Sequence, residues 1–130
     1  MLRFGYLDSE FDPTALFWGD ETDLRALAKS LGDFVENLKP LELSSQVLHT
    51  QTGHTLSLTP ARSDSVGFVR SRGGNGFEWR LTAELAQKFI LIIEELASSD
   101  KAAHNYLDCG GDELTVRVSL REYPDDFLLH

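Results

Sequence analysis

The segment from Arg70 to Gly76 has the residue types of an anion-binding loop, because it contains two arginines and three glycines. Backbone amides of glycine-rich loops and arginine side chains are donors that bind phosphate. A phosphate-binding loop normally follows a strand and opens a helix, whereas this segment lies between two predicted strands. Asn-Gly and Gly-Gly pairs favour the turns of hairpins. The sequence therefore favours a hairpin turn, and it does not decide whether the segment also binds an anion.

Other residue types that support catalysis or metal binding lack the necessary spacing. Asp108, Asp112 and Glu113 lie close together but do not match the alternating acids of a calcium loop. No two histidines have the spacing of a zinc site, although His104 could titrate near neutral pH beside Asp108. Cys109 is the single cysteine, and nothing next to it in sequence supplies a base that would activate it. We therefore predict a protein without enzymatic activity, cofactor or metal.

The net charge of −9 results from 12 basic and 21 acidic residues. This balance disfavours nucleic acid, whose binding depends on Lys and Arg meeting phosphate. It suits a basic protein partner, because complementary fields speed encounter. One acidic stretch contains no Lys or Arg, and we predict that it contacts the partner: Asp8, Glu10, Asp12, Asp20, Glu21 and Asp23.

The length of 130 residues and the hydrophobic content of 42% fit one domain spanning residues 1–130. The longest apolar run, Phe89 to Ile93, is far shorter than the roughly 20 residues of a membrane span. The N-terminal residues lack the apolar core of a signal peptide. A lone cysteine rules out an internal disulfide and fits a reducing compartment. We expect a cytoplasmic protein that does not bind membranes.

Two amphipathic helices are predicted from apolar residues spaced three and four apart. Asp20 is the expected N-cap of the first helix, which ends before Pro40. Its apolar positions are Leu24, Leu27, Ala28, Leu31, Phe34, Val35 and Leu38. Thr82 is the expected N-cap of the second helix. Its apolar stripe is Leu85, Phe89, Ile92, Ile93 and Leu96.

Strands are predicted around these helices, mostly as hairpin runs. Their ranges are Leu2–Leu7, Thr14–Trp18, Leu41–His49, His54–Thr59, Ser65–Arg72, Gly76–Arg80, His104–Cys109 and Glu113–Leu120. The order β-β-α-β-β-β-β-α-β-β predicts an α+β fold with an antiparallel or mixed sheet and two helices packed on one face. The segment Phe127-Leu-Leu129 follows the last strand, and we expect it to dock on its own fold because burial of its side chains is favourable.

Two further patterns concern the helices. Trp18 lies six residues before Leu24, and Trp79 lies six residues before Leu85, which is either a duplicated strand–helix unit or chance. Leu91 falls on the polar face of the second helix, among Glu84, Gln87, Lys88, Glu94 and Glu95. A single exposed leucine is common in proteins, but it also occurs where a partner or a second copy binds.

Four segments carry a resemblance to a known class of proteins. They are Trp79-Arg-Leu-Thr-Ala-Glu-Leu-Ala86, Ile93-Glu-Glu-Leu-Ala97, His104-Asn-Tyr-Leu-Asp108 and Val118-Ser-Leu-Arg-Glu-Tyr-Pro124, and the earlier stretch Gly19-Asp20-Glu-Thr-Asp-Leu-Arg-Ala-Leu-Ala28 is similar in style. Together they resemble small bacterial proteins encoded beside secreted polymorphic toxins, the immunity proteins that bind and neutralise a cognate toxin. The resemblance implies an acidic, single-domain, cytoplasmic binder without catalysis. It transfers no functional residue, because the matching positions look structural.

Three functions follow from these observations. The first is a protein-binding module that neutralises a basic toxin through the acidic stretch. The second is a homo-oligomeric structural or regulatory domain, with Leu91 and the tail at a homodimer interface. The third is a small-ligand-binding domain or hydrolase, which would need a concave pocket holding His104 or Arg72. The sequence leaves the partner, the strand order and the oligomeric state undecided.

Overall fold

The computed structural model describes residues 1–8, 13–43, 48–50, 54–70, 76–109 and 114–128. Within these ranges the chain forms nine strands and two helices. In chain order they are β1 (Leu2–Leu7), β2 (Thr14–Gly19), α1 (Glu21–Asn37), β3 (Leu41–Glu42), β4 (Leu48–Thr50), β5 (Thr55–Pro60), β6 (Gly67–Arg70), β7 (Gly76–Leu81), α2 (Ala83–Ala97), β8 (Ala103–Tyr106) and β9 (Thr115–Leu120).

The strands form two mixed sheets. One has five strands in the order β4-β1-β2-β9-β8, and the other has four in the order β3-β5-β7-β6. The hairpins β1–β2, β6–β7 and β8–β9 are antiparallel, whereas β2–β9 and β5–β7 are parallel pairs. The α+β class, the mixed pairing and the packing of the helices against the sheets confirm the prediction from the sequence.

Several details differ from the prediction. β6 begins at Gly67, where a strand from Ser65 was expected, and β8 ends at Tyr106, where a strand to Cys109 was expected. The strands divide between two sheets, where a single sheet was expected. The predicted strand Leu41–His49 is two short strands, because β3 pairs with β5 in one sheet and β4 pairs with β1 in the other. Hydrophobic alternation shows which face of a strand is buried but does not identify its neighbour, so one continuous pattern could not reveal this division.

The chain builds one arrangement twice. A hairpin (β1–β2 or β6–β7) is followed by a helix and then by a pair of antiparallel strands (β3 with β5, or β8 with β9). In the first half β4 lies between β3 and β5 in sequence and pairs with β1 instead. In each half the later pair joins the sheet of the other half, since β5 lies beside β7 and β9 lies beside β2. The two halves therefore exchange strands.

Aligning the helix N-caps, Asp20 and Thr82, gives the equivalent residues of the two halves. Phe17, rather than Trp18, is then equivalent to Trp79. The rings of Phe17 and Trp79 stack with centroids 5.5 Å apart. The equal spacing of the two tryptophans therefore does not join equivalent positions, because Trp18 is equivalent to Arg80 and lies on the opposite face of its strand.

The core lies between the two sheets and beneath the helices. Phe4 pairs with Phe17 across β1 and β2, and Phe68 pairs with Trp79 across β6 and β7. The rings of Phe4 and Phe68 stack 5.8 Å apart, so the equivalent aromatic residues of the two halves meet in the centre. Both helices direct most of their predicted stripes into this core and pack against each other. Leu38 is an exception, because it is the left-handed C-cap of α1 and is 49% exposed.

Candidate protein-binding surface

Residues 121–128, called the C-terminal segment below, cover the outer face of the five-stranded sheet. Phe127 packs edge-on against Trp18 with ring centroids 5.9 Å apart, and the indole N–H of Trp18 donates to the carbonyl of Pro124 at 3.1 Å. A Cβ atom on Gly5 would lie 2.9 Å from a methyl carbon of Leu128, so glycine permits this close approach. The expectation that this region docks on its own fold is confirmed for Phe127 and Leu128; Leu129 lies outside the described residues.

Glu122 anchors the segment at its start. Its carboxylate accepts hydrogen bonds from Ser119 Oγ at 2.7 Å and Arg117 Nη2 at 3.3 Å, and it lies 2.9 Å from His104 Nδ1. Burial raises the pKa of Glu122, but the hydrogen bonds from His104, Ser119 and Arg117 outweigh burial and hold that pKa below its usual value. The ionised carboxylate is therefore the form that holds the segment in place.

The serine, histidine and acid of this cluster are not arranged as a nucleophilic triad. Ser119 is fully buried and donates to Glu122, whereas a triad needs a serine bonded to its histidine base. The carboxylate bound to His104 is that of Glu122, where the sequence had suggested Asp108. The cluster joins β8, β9 and the C-terminal segment.

Docking of the C-terminal segment brings its acids towards the start of α1, where further acids are exposed. The backbone N–H of Arg121 donates to the carbonyl of Gly19 at 2.9 Å, so the segment begins where α1 starts. Asp20 and Glu21 are exposed at that start. Asp125 has 84% of its side chain exposed, and Asp126 is exposed beside it. We call Asp20, Glu21, Asp125 and Asp126 the acidic patch.

Cationic groups near the acidic patch have acceptors of their own. Arg3 is 15% exposed, and its guanidinium lies 3.6 Å from Asp23 and 3.3 Å from Asp125. The amino group of Met1 lies 2.9 Å from Asp23. Arg121 is exposed, and its guanidinium donates to the carbonyl of Ser99. Asp125 is therefore paired with Arg3, although 84% of its side chain remains exposed to solvent.

Asp23 has a structural position beneath this patch. It is 7% exposed and forms a capping box with Asp20, in which each side chain accepts from the other residue's backbone N–H. Burial raises the pKa of Asp23, but hydrogen bonds from the Met1 amino group and from Asp20 outweigh it and lower the net value. Its predicted contact with a partner would require the partner to reach a buried ion pair.

The other predicted contact residues have the following positions. Asp8, Asp20 and Glu21 are exposed, and Leu91 is 68% exposed on α2. Glu10 and Asp12 lie outside the described residues. Sequence reasoning did not include Asp125 and Asp126, although the expected docking of Phe127 would have placed these neighbours on the surface of the fold.

A pocket of about 210 Å³ lies beside Cys109, with Phe68 and Leu107 in its wall. Burial raises the pKa of the Cys109 thiol more than the facing indole of Trp79 lowers it, which disfavours the reactive thiolate. His104 is not part of this wall, and Arg72 lies outside the described residues, as does most of the Arg70–Gly76 loop. No group of three metal-ligating side chains occurs in the described ranges.

In the described part of the chain, neither helix has the length and apolar composition to cross a bilayer. Comparison with family models, with curated proteins and with solved structures gives no match to this chain.

Proposed function

We propose that this chain is a non-enzymatic protein-binding module that presents the acidic patch to a basic protein, as an immunity-type protein does when it neutralises a cognate toxin. The observation that carries the proposal is the docked C-terminal segment. It brings Asp125 and Asp126 to the end of the molecule where α1 starts with Asp20 and Glu21, and Arg3 bridges Asp23 of α1 and Asp125 of the segment.

The arrangement suits fast and selective association. Carboxylates on one surface sum to a negative potential that attracts a basic protein over roughly the Debye length, about 8–10 Å at physiological salt. The net charge of −9 adds to this potential and repels acidic proteins and nucleic acid. The proposal therefore predicts an association rate that falls as salt is added.

The anchoring cluster supports the same function. His104, Arg117 and Ser119 direct their polar groups to Glu122, and these contacts fix the segment that carries half of the patch. A surface held in place before binding loses less conformational entropy when a partner arrives. The cluster thus contributes to binding by holding the patch in one geometry.

The first test identifies the partner and then removes the patch. The tagged chain is used to capture proteins from its native host, and the captured protein is identified by mass spectrometry and purified. Its association rate is measured against a patch variant that keeps similar shapes and hydrogen-bonding groups: Asp20→Asn, Glu21→Gln, Asp125→Asn and Asp126→Asn. We expect at least a tenfold slower association and a weaker dependence on salt.

A control variant loses the same number of negative charges at exposed positions outside the patch: Glu36→Gln, Glu42→Gln, Asp64→Asn and Asp100→Asn. Its association rate should fall by less than threefold. Equal loss in both variants, or a captured protein that is acidic, would contradict the proposed surface. The immunity role fails separately if the captured protein, produced in a bacterium without this chain, does not slow growth.

A further inference from the structure

The outer face of α2 holds a feature that the acidic patch does not use. Leu91 is 68% exposed, and its equivalent in the other half of the molecule is Lys29, which is also exposed on the outer face of α1. The same structural position thus carries an ordinary solvated residue in one half and a large apolar residue in the other. Burying such a leucine in an interface removes apolar surface from water, which favours association.

We propose that Leu91 is the centre of a two-fold interface between two copies of this chain, in which the α2 helices lie antiparallel. A two-fold interface uses the same patch on both copies and must be self-complementary. When two antiparallel helices meet at Leu91, a residue three positions before it on one helix lies opposite a residue four positions after it on the other. Lys88 then faces Glu95 of the second copy, twice.

Charge selects this orientation over the parallel one. In a parallel pair centred on Leu91, Glu94 would lie opposite Glu95 of the other copy on both sides of the leucines. Such like charges repel, whereas the antiparallel pair forms two Lys88–Glu95 contacts and places Glu94 beside Gln87. All four of these polar residues are exposed in the structure and surround Leu91.

The mixed charge of this face favours a second copy of the chain as its occupant over the basic partner proposed above. A face that carries both Lys88 and Glu95 complements itself, while the acidic patch carries carboxylates that complement a cationic surface. One helix face covers less than the roughly 1,200 Å² of a stable specific interface, and two chains of net charge −9 repel each other, so the dimer should be weak and reversible. This inference does not depend on the proposed function, because it concerns a different surface and needs no other protein.

The test is sedimentation equilibrium of the purified chain from micromolar to millimolar concentration. The average mass should rise from one chain towards two. Leu91→Lys, which installs the residue of the equivalent position, should weaken dimerisation at least tenfold. Arg25→Gln on α1, which installs the residue found at the equivalent position of α2, is the matched control and should leave the dissociation constant unchanged within twofold.

Charge exchange tests the antiparallel orientation. Lys88→Glu alone and Glu95→Lys alone should each weaken dimerisation severalfold, and both changes in one chain should restore it to within threefold of the original. Circular dichroism of each variant verifies that α2 remains folded. A chain that stays monomeric at every concentration, a Leu91→Lys dimer of unchanged affinity, or a double variant as weak as the single ones would overturn the proposal.

Discussion

The two halves of this molecule share one arrangement of strands and helix but differ on their outer surfaces. Trp18 and Arg80 occupy equivalent positions on β2 and β7. Trp18 is buried beneath Phe127 of the C-terminal segment, while Arg80 has 42% of its side chain exposed and pairs with Glu78 at 2.8 Å. The inner faces, where Phe17 stacks on Trp79, stay alike because they share one core. The outer faces do not share a core, so the outer face of one half can be covered while that of the other half is exposed.

The helices differ in the same way. The N-cap of α1 is supported by a capping box and a buried ion pair through Asp23, whereas the N-cap of α2 has the single side-chain hydrogen bond of Thr82 to the backbone of Leu85. Leu91 on α2 lies at the position equivalent to Lys29 on α1. Comparing substitutions at equivalent positions of the two halves therefore distinguishes side chains that the fold needs from side chains that serve one surface only.

The largest difference is expected between Trp18 and Arg80. Trp18→Ala removes a buried indole and the hydrogen bond to Pro124, and it should lower the free energy of unfolding by about 3–5 kcal/mol. Arg80→Ala removes a surface ion pair and should cost less than about 1 kcal/mol. Urea unfolding measures both values. Equal losses would mean that the outer faces of the two sheets are covered to the same extent.

A smaller difference is expected between the two helix caps. Asp23→Ala should lower stability by about 2–3 kcal/mol, because it removes the capping box and leaves the half-buried Arg3 without one of its partners. Thr82→Ala removes one capping bond and should cost about 1 kcal/mol. Thermal and urea unfolding of the two variants test the order, which would be wrong if Thr82→Ala were the more damaging change.

Glu122 should make the covered sheet sensitive to acid. Its pKa in the folded protein lies below the usual 4.5, so the ionised carboxylate stabilises the fold above pH 4.5, and this contribution is lost as the pH falls through the lowered value. Glu122→Gln should cost about 1–2 kcal/mol at neutral pH and less in acid. Trp18 fluorescence in a Trp79→Phe background reports on the segment as pH is lowered. An unchanged pH profile in Glu122→Gln would assign the acid sensitivity to another group.

The smallest effect is expected at the equivalent pair on the helices. Leu91→Lys and Lys29→Leu should each change the free energy of unfolding by less than about 0.5 kcal/mol, since both side chains face solvent in the single chain. The measurement is made at low concentration, where self-association does not contribute. A loss above 1 kcal/mol for Leu91→Lys would show that Leu91 serves the fold itself.

Local features were predictable from the sequence, and pairings over long distances were not. The N-caps Asp20 and Thr82, most of the helix stripes and the pairing of the two later hairpins depend on residues close in sequence and appear as predicted, although Leu38 is exposed and the strand ends differ. The exchange of β5 and β9 between halves depends on which strands meet, and alternating side chains carry no information about that choice.

In the candidate site, too, the contacts between residues distant in sequence could not be predicted. Asp23 belongs to an acidic stretch, but it is buried at the start of α1 in contact with Met1 and with Arg3 of β1, which are distant in sequence. Asp125 and Asp126 complete the acidic patch through contacts of their neighbours with Trp18 and Gly19. Clusters of acids in the sequence indicate acidic surface, whereas the acids that come together on that surface depend on the docking of the C-terminal segment.

The exchange of strands has a consequence for synthesis of the protein on the ribosome. When residues 55–60 emerge, Leu56 and Leu58 have β3 beside them but not β7, whose residues are made later. Likewise β2 lacks β9 beside it until residues 115–120 have been made. At about 5–20 residues per second, these apolar strands stay incompletely paired for on the order of seconds. The nascent chain therefore exposes apolar strand surface until β9 has been synthesised.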